Sequence, residues 1–548
     1  MGLVICKPFG YEAMCSHSSL RAFADAAAEL GVPALRFDYC GTGDSADIDP
    51  QADQLRAWTR DVHAAIAALQ ERSGVERVCL FGIRLGALLA TIAASQSKAV
   101  SSLILIAPVI SGRRYLRELR MTQLVASQIG KDPFDSTNST IVESGPPASE
   151  APEFSGYALS AATLEALVQV DLATLVPPAS DILIIDAENL PASRGWAGEL
   201  GARAIRVRYL TLPGLVGMLI TAPHFAQVPR EMIAAMREWL RQLLNDERSP
   251  LPIGNQHRMH DEMAGTTTIL SLPGNDTTKE TVLTERPVFF ASDAALFGII
   301  TEPQAGEIRR RAVILLNPGA DYHIGANRLY VSLARRWARR GYIVLRMDLA
   351  GLGDSGKRPG QPDNEVFSPA ALEDVRAAIE FVRKRYGISD ITLGGLCSGA
   401  YHSLRAAVAA LPVNRILLIN PENYFWHKGM TLNDLQLADV LRNPGVYRMR
   451  VRSAAAWKRL LSGEVNIWRV MKVYIHRISL AVESILRDLA RLVRIHLPRD
   501  LGWELEELAA RGVRVIFVFA RGEPGIDLLK LQAGSSVKRL RDHCSVHV

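Results

Sequence analysis

The sequence lacks several features that would place it at once in a large class of proteins. It contains no run of about 18 apolar residues, so we expect no membrane-spanning helix. Residues 1–10 have neither the basic region nor the cleavage site of a signal peptide, and Cys6 stands where N-myristoylation needs serine or threonine. Lysine and arginine number 63 against 57 acidic residues, an excess too small to indicate nucleic-acid binding. These absences predict a cytoplasmic protein without a nucleic-acid partner.

Cysteine is scarce, and its positions are scattered along the chain. Only six cysteines occur in 548 residues, without close pairs and without the spacing of a zinc site. They are Cys6, Cys15, Cys40, Cys79, Cys397 and Cys544. We therefore expect no disulfide scaffold, no metal and no cofactor.

An internal repeat is the strongest sign of organisation that the sequence does contain. Three segments of the N-terminal half recur in the same order, with nearly the same spacing, in the C-terminal half. The matched pairs are 3–10 with 313–320, 36–45 with 346–355, and 78–87 with 391–400. The period is far too long for a solenoid, so the repeat indicates a duplicated domain. Two large α/β domains of roughly 250 residues each fit the length.

Each copy alternates short apolar runs with amphipathic helical patterns. In the second copy, predicted helices at 328–340, 370–385 and 401–410 alternate with predicted strands at 312–316, 342–347, 391–394, 415–419 and 513–519. This alternation predicts the α/β class, with a mostly parallel sheet covered by helices on both faces. Gly-rich strand ends that face helix starts place the chemistry at the carboxyl edge of the sheet.

The domain boundaries follow from a change in composition. Residues 245–284 are polar and rich in threonine, asparagine and proline, which is typical of a linker between domains. The first domain, 1–244, lacks leading strands because residues 3–6 already align with 313–316. The second domain, 285–548, is expected to open with one or two strands within Val288–Ile300.

The segment Gly395-Leu396-Cys397-Ser398-Gly399 lies between a predicted strand and a predicted helix. It fits G-x-nucleophile-x-G, the nucleophile elbow, in which small flanking residues permit a strained turn. The dipole of the following helix is expected to lower the pKa of the Cys397 thiol. We predict Cys397 as a nucleophile; the alternative is a small buried cysteine that only packs.

The other parts of such a site can be sought by position. An oxyanion hole needs the backbone N–H of Ser398 and a second one from the loop after strand 312–316, where Gly319 or Ala320 is available. The acid is expected just past strand 513–519, where Glu523 is the first choice and Asp527 the second. A solvated loop carboxylate is the alternative for either.

The histidine of a triad is not where the chain order demands it. That order is nucleophile, acid and histidine, with the histidine in a loop beyond one further strand. The last strand, Cys544–Val548, ends the chain; His543 precedes it, and His547 lies within it. We therefore expect a C-terminus truncated before that loop. His323, in the presumed oxyanion loop, is a candidate substitute base, with a structural role as the alternative.

The first copy has a degenerate elbow, Gly82-Ile83-Arg84-Leu85-Gly86, with an arginine at its apex. An acid, Glu188, follows the strand at 181–186, and a histidine, His224, comes later in the chain. These two residues keep the chain order of a triad, with Arg84 in the place of the nucleophile. One interpretation is that Glu188 pairs with Arg84 as a structural relic. The other is an anion site, because a guanidinium can bind a carboxylate or phosphate with two hydrogen bonds.

The strand order, the D-x-x-G-x-G-D-S turns and the two elbows resemble the α/β-hydrolase superfamily. More narrowly, segments 82–87 and 107–115 resemble one of the two hydrolase-like proteins that accompany exosortase A systems. Segments 317–320, 395–397 and 420–423 resemble the other. The resemblance implies two tandem α/β-hydrolase domains and acyl-type chemistry on esters or thioesters, near the production of extracellular polysaccharide.

The resemblance also implies a helical lid in the second domain, at about 426–505. Within it, Arg442–Arg499 is rich in basic residues interleaved with aromatic ones. These are Arg448, Arg450, Arg452, Lys458, Arg459, Arg469, Lys472 and Arg477, with Trp457, Trp468 and Tyr474. A basic amphipathic helix can lie on an anionic membrane or over an acidic substrate. The alternative is the solvated face of a lid.

These features lead to one hypothesis with two rivals. The leading hypothesis is hydrolysis of a small-molecule acyl or glycan ester, or of a thioester, through Cys397, with a non-catalytic first domain. The first rival is an acyltransferase that uses the same cysteine. The second is a pseudoenzyme that binds anionic sugars or lipids without turning them over.

Overall fold

The computed structural model describes most of the chain as two compact units, Met1–Gln256 and His257–Val548. The described residues are 1–129, 153–203, 205–246, 268–272, 281–291, 295–304, 309–362, 364–427, 429–431, 482, 485–523 and 525–548. Among their helices, none is long and apolar enough to span a bilayer.

The first unit is built on a six-stranded, wholly parallel sheet. Its strands are β1 (Gly2–Cys6), β2 (Ala34–Arg36), β3 (Val78–Ile83), β4 (Val100–Ile106), β7 (Asp181–Ala187) and β8 (Arg206–Leu212), in the order β2-β1-β3-β4-β7-β8. The short strands β5 (Glu153–Phe154) and β6 (Tyr157–Ala158) form a separate hairpin.

Helices cover both faces of this sheet. They are α1 (Tyr11–Ala28), α2 (Gln54–Ser73), α3 (Leu85–Ser95), α4 (Gly112–Ile129), α5 (Ala161–Gln169), α6 (Arg194–Ala202), α7 (Leu215–Leu219) and α8 (Arg230–Asp246). Side chains alternate along β1: Leu3 and Ile5 share an apolar cluster with α1 and α8, whereas Val4 and Cys6 share one with α2 and α3. A strand buried on both faces explains the continuous apolar runs in the sequence.

The second unit contains a nine-stranded sheet. Its strands are β9 (Thr268–Leu272), β10 (Thr281–Phe290), β11 (Leu296–Pro303), β12 (Arg311–Leu316), β13 (Ile343–Met347), β14 (Asp390–Leu396), β15 (Arg415–Ile419), β16 (Arg514–Val518) and β17 (Cys544–His547). Their order is β17-β16-β15-β14-β12-β13-β11-β10-β9. Strands β12 to β17 are parallel, whereas β9, β10 and β11 pair in antiparallel fashion.

The helices of the second unit again lie between its parallel strands. They are α9 (Leu329–Ala338), α10 (Ala371–Tyr386), α11 (Ser398–Val408), α12 (Leu501–Ala510), α13 (Gly525–Ala533) and α14 (Ser536–Arg539). The predicted fold class, two tandem α/β-hydrolase folds with mostly parallel sheets, is confirmed.

The start of the second unit differs from the sequence-based expectation. Three strands, rather than one or two, precede β12, and β9 lies inside the range 245–284 that the sequence indicated as a linker. These strands form an antiparallel meander whose first member, β9, is at the sheet edge. An edge strand has a neighbour on one side only, so Thr268–Leu272 needs less of the apolar alternation that identifies a strand in a sequence.

Candidate functional site

Cys397 occupies a sharp turn between β14 and α11. Its backbone has φ of 55° and ψ of −112°, in a region that is costly for a residue with a Cβ. Its N–H donates to the carbonyl of Ile419, at the end of β15, over 3.0 Å. The turn is thus anchored to the neighbouring strand, and it has the strained geometry expected of a nucleophile elbow.

Close backbone approach explains the two glycines of the elbow. A Cβ on Gly395 would lie 2.5 Å from the Cα of Gly399, and a Cβ on Gly399 would lie 2.4 Å from the carbonyl oxygen of Leu316. The hydroxyl of Tyr330 donates to that same oxygen over 2.9 Å and accepts from the N–H of Leu396 over 2.7 Å. The start of α11 is therefore held against the ends of β12 and β14.

The thiol of Cys397 is half-buried, and its pKa is raised above the usual value. Burial is the largest cause, followed by the carboxyl group of Glu422. The charge of Asp321 acts in the same direction, and only a hydrogen bond from the N–H of Ser398 opposes them. The predicted lowering of this pKa was wrong, because burial and two carboxyl groups outweigh the helix N-terminus.

Glu422 is a site residue that the sequence reasoning missed. Strands β14 and β15 pair in parallel, with Leu396 opposite Ile419. Cys397 is one residue past the end of β14, and Glu422 is three residues past the end of β15. Both therefore emerge at the same edge of the sheet. The only sequence signal was that segment 420–423 resembled one of the exosortase-system hydrolases.

The predicted oxyanion donors lie beside the elbow, but one of them is already engaged. The N–H of Gly319 donates to the hydroxyl of Ser398 over 2.7 Å, and that hydroxyl donates to the carbonyl of Asn317 over 3.2 Å. The candidate pair is then the N–H of Ser398, which lies next to the thiol of Cys397, and the N–H of Ala320, whereas Gly319 fixes the loop in place.

Asp321 is a second carboxyl group that the sequence reasoning missed. It directly follows Ala320, and its carbonyl accepts a hydrogen bond from the side chain of Asn317 over 2.9 Å. Burial raises the pKa of the Asp321 carboxyl to about 7, and its charge acts on both Cys397 and Tyr330. The elbow thiol therefore has two acidic neighbours.

His323, the predicted substitute base, lies in a buried polar network. Its Nδ1 is 2.8 Å from Oδ2 of Asp348, and the two side chains are 2% and 0% exposed. Asp348 also accepts from the side chain of Asn317 over 2.7 Å and from the N–H of Asp354 over 2.9 Å. These bonds tie the oxyanion loop to the D-x-x-G-x-G-D-S turn, which favours the structural role for His323.

The same network is the one place where we find a group of potential metal ligands among the described residues. His323, Asp348 and Asp354 offer ligand atoms within 4.8 Å of one another. The carboxylate of Asp348 already accepts three hydrogen bonds, so a cation there would have to displace donors that hold the loop.

The two acids predicted from chain order are not those that act on the thiol. Glu523 follows β16 and is half-buried. Asp527, in the first turn of α13, has a side chain that is 41% exposed and 3.2 Å from Nζ of Lys530. The carboxyl groups that shift the pKa of Cys397 are those of Glu422 and Asp321. His547 belongs to β17, which two strands separate from β14.

Aromatic side chains pack beside the oxyanion loop. Ala320 contacts a cluster that includes Phe367, Tyr401 and Trp426. The rings of Phe367 and Trp426 stack with centroids 4.2 Å apart. Tyr401 lies one helical turn after Cys397, and its N–H donates to the carbonyl of Cys397 over 3.2 Å. These residues place an apolar wall next to the elbow.

The first unit repeats the elbow geometry with an arginine at the apex. Arg84 has φ of 53° and ψ of −117°. Its Nε donates to Glu12 over 3.1 Å and its Nη2 to Glu118 over 2.5 Å, and the guanidinium is 5.5 Å from the ring centre of Tyr115. Burial raises the pKa of Glu12, and Arg84 opposes that rise.

The predicted pairing of Arg84 with Glu188 was wrong. Glu188 is exposed in the turn after β7, whereas the actual partners come from α1 and α4. The two carboxylates already neutralise the guanidinium, which opposes the binding of an external anion. His224 is half-buried in a short 3-10 turn, and burial lowers its pKa.

The predicted lid is described only in part. Its basic and aromatic residues from Arg448 to Tyr474, together with Arg477, lie outside the described residues. Within 485–495, Leu492 is 74% exposed and Val493 66% exposed. Other exposed aliphatic residues of this segment are Ile485, Leu486, Leu489 and Ile495.

Comparison with known protein families gives a match to both halves. The family described as Serine aminopeptidase, S33 matches residues 13–136 and 308–460, which together make up just over half of the chain. Both elbows lie inside the matched ranges. The family's name indicates a serine nucleophile, whereas the two apices here are Arg84 and Cys397.

Individual relatives are distant. The uncharacterized protein YcjY of Escherichia coli (strain K12) is 25% identical over 124 residues, which is 22% of this chain and 39% of that protein. The match thus spans well under half of the relative's length.

Several solved structures are similar over one half of the chain. Est1E from Butyrivibrio proteoclasticus with bound ferulic acid is 18% identical, with a TM-score of 0.32 over 45% of this chain and 90% of that one. Proline iminopeptidase from Mycobacterium smegmatis is 18% identical, with a TM-score of 0.30 over 44% and 89%. Mouse alpha/beta hydrolase domain-containing protein 10 is 15% identical, with a TM-score of 0.28 over 45% and 90%.

Proposed function

Since the chain belongs to the serine aminopeptidase (S33) family of α/β-hydrolases, we propose that its second unit hydrolyses an ester or thioester with Cys397 as the nucleophile. The observation that carries this proposal is the strained backbone of Cys397 between β14 and α11. Arg84 has nearly the same backbone angles, so the strained turn supports catalysis only where its apex carries a nucleophilic side chain, as it does at Cys397. The first unit, with Arg84 closed in by two carboxylates, is proposed to be non-catalytic.

The proposed reaction has two halves. The sulfur of Cys397 attacks the acyl carbon, its proton leaves to a base, and the N–H groups of Ser398 and Ala320 stabilise the oxyanion. Collapse expels an alcohol or thiol and leaves an acyl thioester on Cys397. Water then attacks the thioester, which releases the acid and restores the thiol.

The surroundings of the thiol support a particular kind of substrate. The aromatic wall of Phe367, Tyr401 and Trp426 favours an apolar acyl group. The carboxyl groups of Glu422 and Asp321 oppose an anionic one, because like charges repel in a partly buried site. We therefore propose a small-molecule acyl or glycan ester with an uncharged acyl group. An exosortase-associated role in polysaccharide production remains a proposal based on the motif resemblance.

Nitrophenyl esters of uncharged acyl groups test the proposal. The wild-type protein should release nitrophenol, and Cys397→Ala should lower kcat by about a thousandfold or more. Turnover that is unaffected by Cys397→Ala would contradict the nucleophile.

The same assay separates the rival functions. An added alcohol or thiol acceptor that is converted to a new ester or thioester indicates an acyltransferase. If wild type and Cys397→Ala bind the ligand equally and neither releases product, the protein is a binding pseudoenzyme.

We also propose that the protein is cytoplasmic and that its lid region contacts an anionic membrane. The exposed aliphatic residues of 485–495 support this, together with the exposed Arg494 and the half-buried Arg487. An apolar strip beside basic residues is typical of a helix that lies in a membrane interface. The wild-type protein should sediment with phosphatidylglycerol vesicles more than with phosphatidylcholine vesicles, and Leu492→Ser should weaken this. Equal sedimentation with both would contradict the proposal.

A further inference from the structure

A polar cluster surrounds the apex of the elbow in the first unit, at the position that Cys397 holds in the second. We call it the first-elbow cluster; its members are Arg84, Glu12, Tyr115 and Glu118. We propose that it binds a primary ammonium group, of the kind that an amino alcohol or an amino sugar carries. The inference goes beyond the proposed hydrolysis, because Arg84 has no nucleophilic atom and the chemistry of the second unit is not involved.

The helices that carry the cluster are held in place by close backbone contacts. Glu12 lies in the first turn of α1, which begins directly after Gly10, a residue with φ of 65°. A Cβ on Gly112, the first residue of α4, would lie 1.9 Å from the carbonyl oxygen of Leu167 in α5. The N-terminal part of α4, which carries the other two members of the cluster, is therefore packed tightly against α5.

The charges of the first-elbow cluster do not balance. Nε of Arg84 donates to Glu12 over 3.1 Å, and Nη2 donates to Glu118 over 2.5 Å. One guanidinium thus faces two carboxylates, and within the described part of the chain the exposed arginines of α4 form no ion pair with either of them. Burial raises the pKa of Glu12 although Arg84 opposes that rise. This is the behaviour of a buried carboxylate with too little positive charge beside it.

Two buried polar atoms of the cluster have no hydrogen-bond partner among the residues that the structure describes. They are Oε2 of Glu12 and the hydroxyl oxygen of Tyr115. Tyr115 is 1% exposed, and its ring centre is 5.5 Å from Cζ of Arg84, so its hydroxyl is enclosed beside the ion pairs. Buried polar atoms are costly to leave without a partner, and those that occur call for a bound molecule or a function.

A primary ammonium group supplies what the cluster lacks. It has three N–H donors and no acceptor, and both unpartnered oxygens can accept a hydrogen bond. It also brings the positive charge that the second carboxylate requires, whereas an anion would be repelled and a hydroxyl group would bring no charge. The side chains of Arg84 and Glu12 are 19% and 22% exposed, so a small group can reach them from solvent.

Calorimetric titration of the full chain at pH 7 tests the inference with two pairs of probes. Ethanolamine is compared with ethylene glycol, and glucosamine with N-acetylglucosamine, so that each pair differs in the ammonium group. We expect each amine to bind at least about tenfold more tightly than its uncharged counterpart. Tighter binding of ethanolamine would identify an amino alcohol as the source of the group, and tighter binding of glucosamine an amino sugar. Equal binding within both pairs, or no binding, would overturn the proposal.

Two variants locate the site. Tyr115→Phe removes only the hydroxyl, and it should weaken amine binding about two- to tenfold. Glu12→Gln keeps the size of the side chain and removes its charge, and it should weaken binding at least about tenfold. Glu71→Gln, at an exposed carboxylate near the end of α2, is the matched control and should bind like wild type. Amine binding that neither Tyr115→Phe nor Glu12→Gln weakens would place the amine elsewhere and overturn the assignment.

The stability of Tyr115→Phe is a second readout that does not depend on any ligand. Because the hydroxyl has no partner to lose, the urea midpoint of the first unit should be the same as in wild type or higher. A clearly lower midpoint would show that the hydroxyl is already satisfied within the protein, which would remove the basis of the proposal.

Discussion

The sulfur of Cys397 is surrounded by groups that oppose its ionisation. A cysteine at a helix start is usually a candidate for a low thiol pKa, and the sequence supported that expectation. Burial reverses it, and Glu422 and Asp321 add to the effect, because each brings an acidic group to the same point from a different loop. Neither is adjacent to Cys397 in the sequence, so the sign of the shift could not be read from the elbow motif.

The raised pKa of Asp321 leads to a prediction about how the stability of the fold depends on pH. Its folded-state pKa is raised from 3.8 to about 7 by burial, so the folded state holds a proton that the unfolded state has already released. The resulting stabilisation is complete below about pH 4 and is lost as pH rises through about 7. Asp321→Asn should remove this component, so the unfolding free energy should change less with pH between pH 4 and 8 than it does in wild type. Urea denaturation over that range measures it, and a slope equal to that of wild type would contradict the assignment.

At the scale of elements, the junction of β14, α11 and β12 depends on two glycines. In Gly399→Ala, the new Cβ would lie 2.4 Å from a backbone oxygen, which cannot move without disturbing β12. We expect a loss of at least about 2 kcal/mol in the unfolding free energy of the second unit. Chemical denaturation, followed by a probe in that unit, measures it.

Gly198→Ala in α6 is the comparison variant for that experiment. A Cβ at Gly198 would meet nothing within 4 Å, so this substitution should stabilise the first unit by up to about 1 kcal/mol. A Gly399→Ala protein as stable as wild type would show that the elbow tolerates a side chain at this position.

The elements were predicted from sequence where both faces of a strand are buried. Strand β15, Arg415–Ile419, has the bounds that the sequence indicated, and helix α10 is displaced by one residue at each end. The edge strand β9 was not predicted, since a strand with a neighbour on one side only needs less of the apolar pattern that identifies strands in a sequence. The suggested pairing of Arg84 with Glu188 was wrong for another reason. Glu12 and Glu118 lie on helices whose positions depend on the whole first unit.

On the scale of the whole molecule, the two units share a structural turn and differ at the apex. Asp38 in the first unit pairs with Lys7 and accepts from the N–H of Asp44 over 2.8 Å. Asp348 in the second unit accepts from Asn317 and from the N–H of Asp354. The supporting architecture has been retained in both copies, whereas the residue at the elbow has diverged to arginine in one and cysteine in the other.

Because the two elbows carry different residues at the apex, we predict that a substitution in the first unit leaves the chemistry of the second unit unchanged. Arg84→Ala leaves Glu12 and Glu118 without their cation, and it should destabilise the first unit by roughly 1–3 kcal/mol, since Glu12 is partly buried but Glu118 is half exposed. Acylation of Cys397 should stay within about twofold of wild type under conditions where the first unit is still folded. Rates of thioester formation and unfolding curves for the same protein check both parts. A large loss of acylation in the folded variant would give the first unit a part in catalysis.

Mass spectrometry of the intact protein after brief exposure to an uncharged nitrophenyl ester tests the central claim most directly. The account predicts a gain of one acyl mass, located on the peptide that contains Cys397, released by hydroxylamine and missing in Cys397→Ala. An adduct on another residue, or a wild-type protein that hydrolyses the ester with Cys397 never modified during turnover, would contradict it.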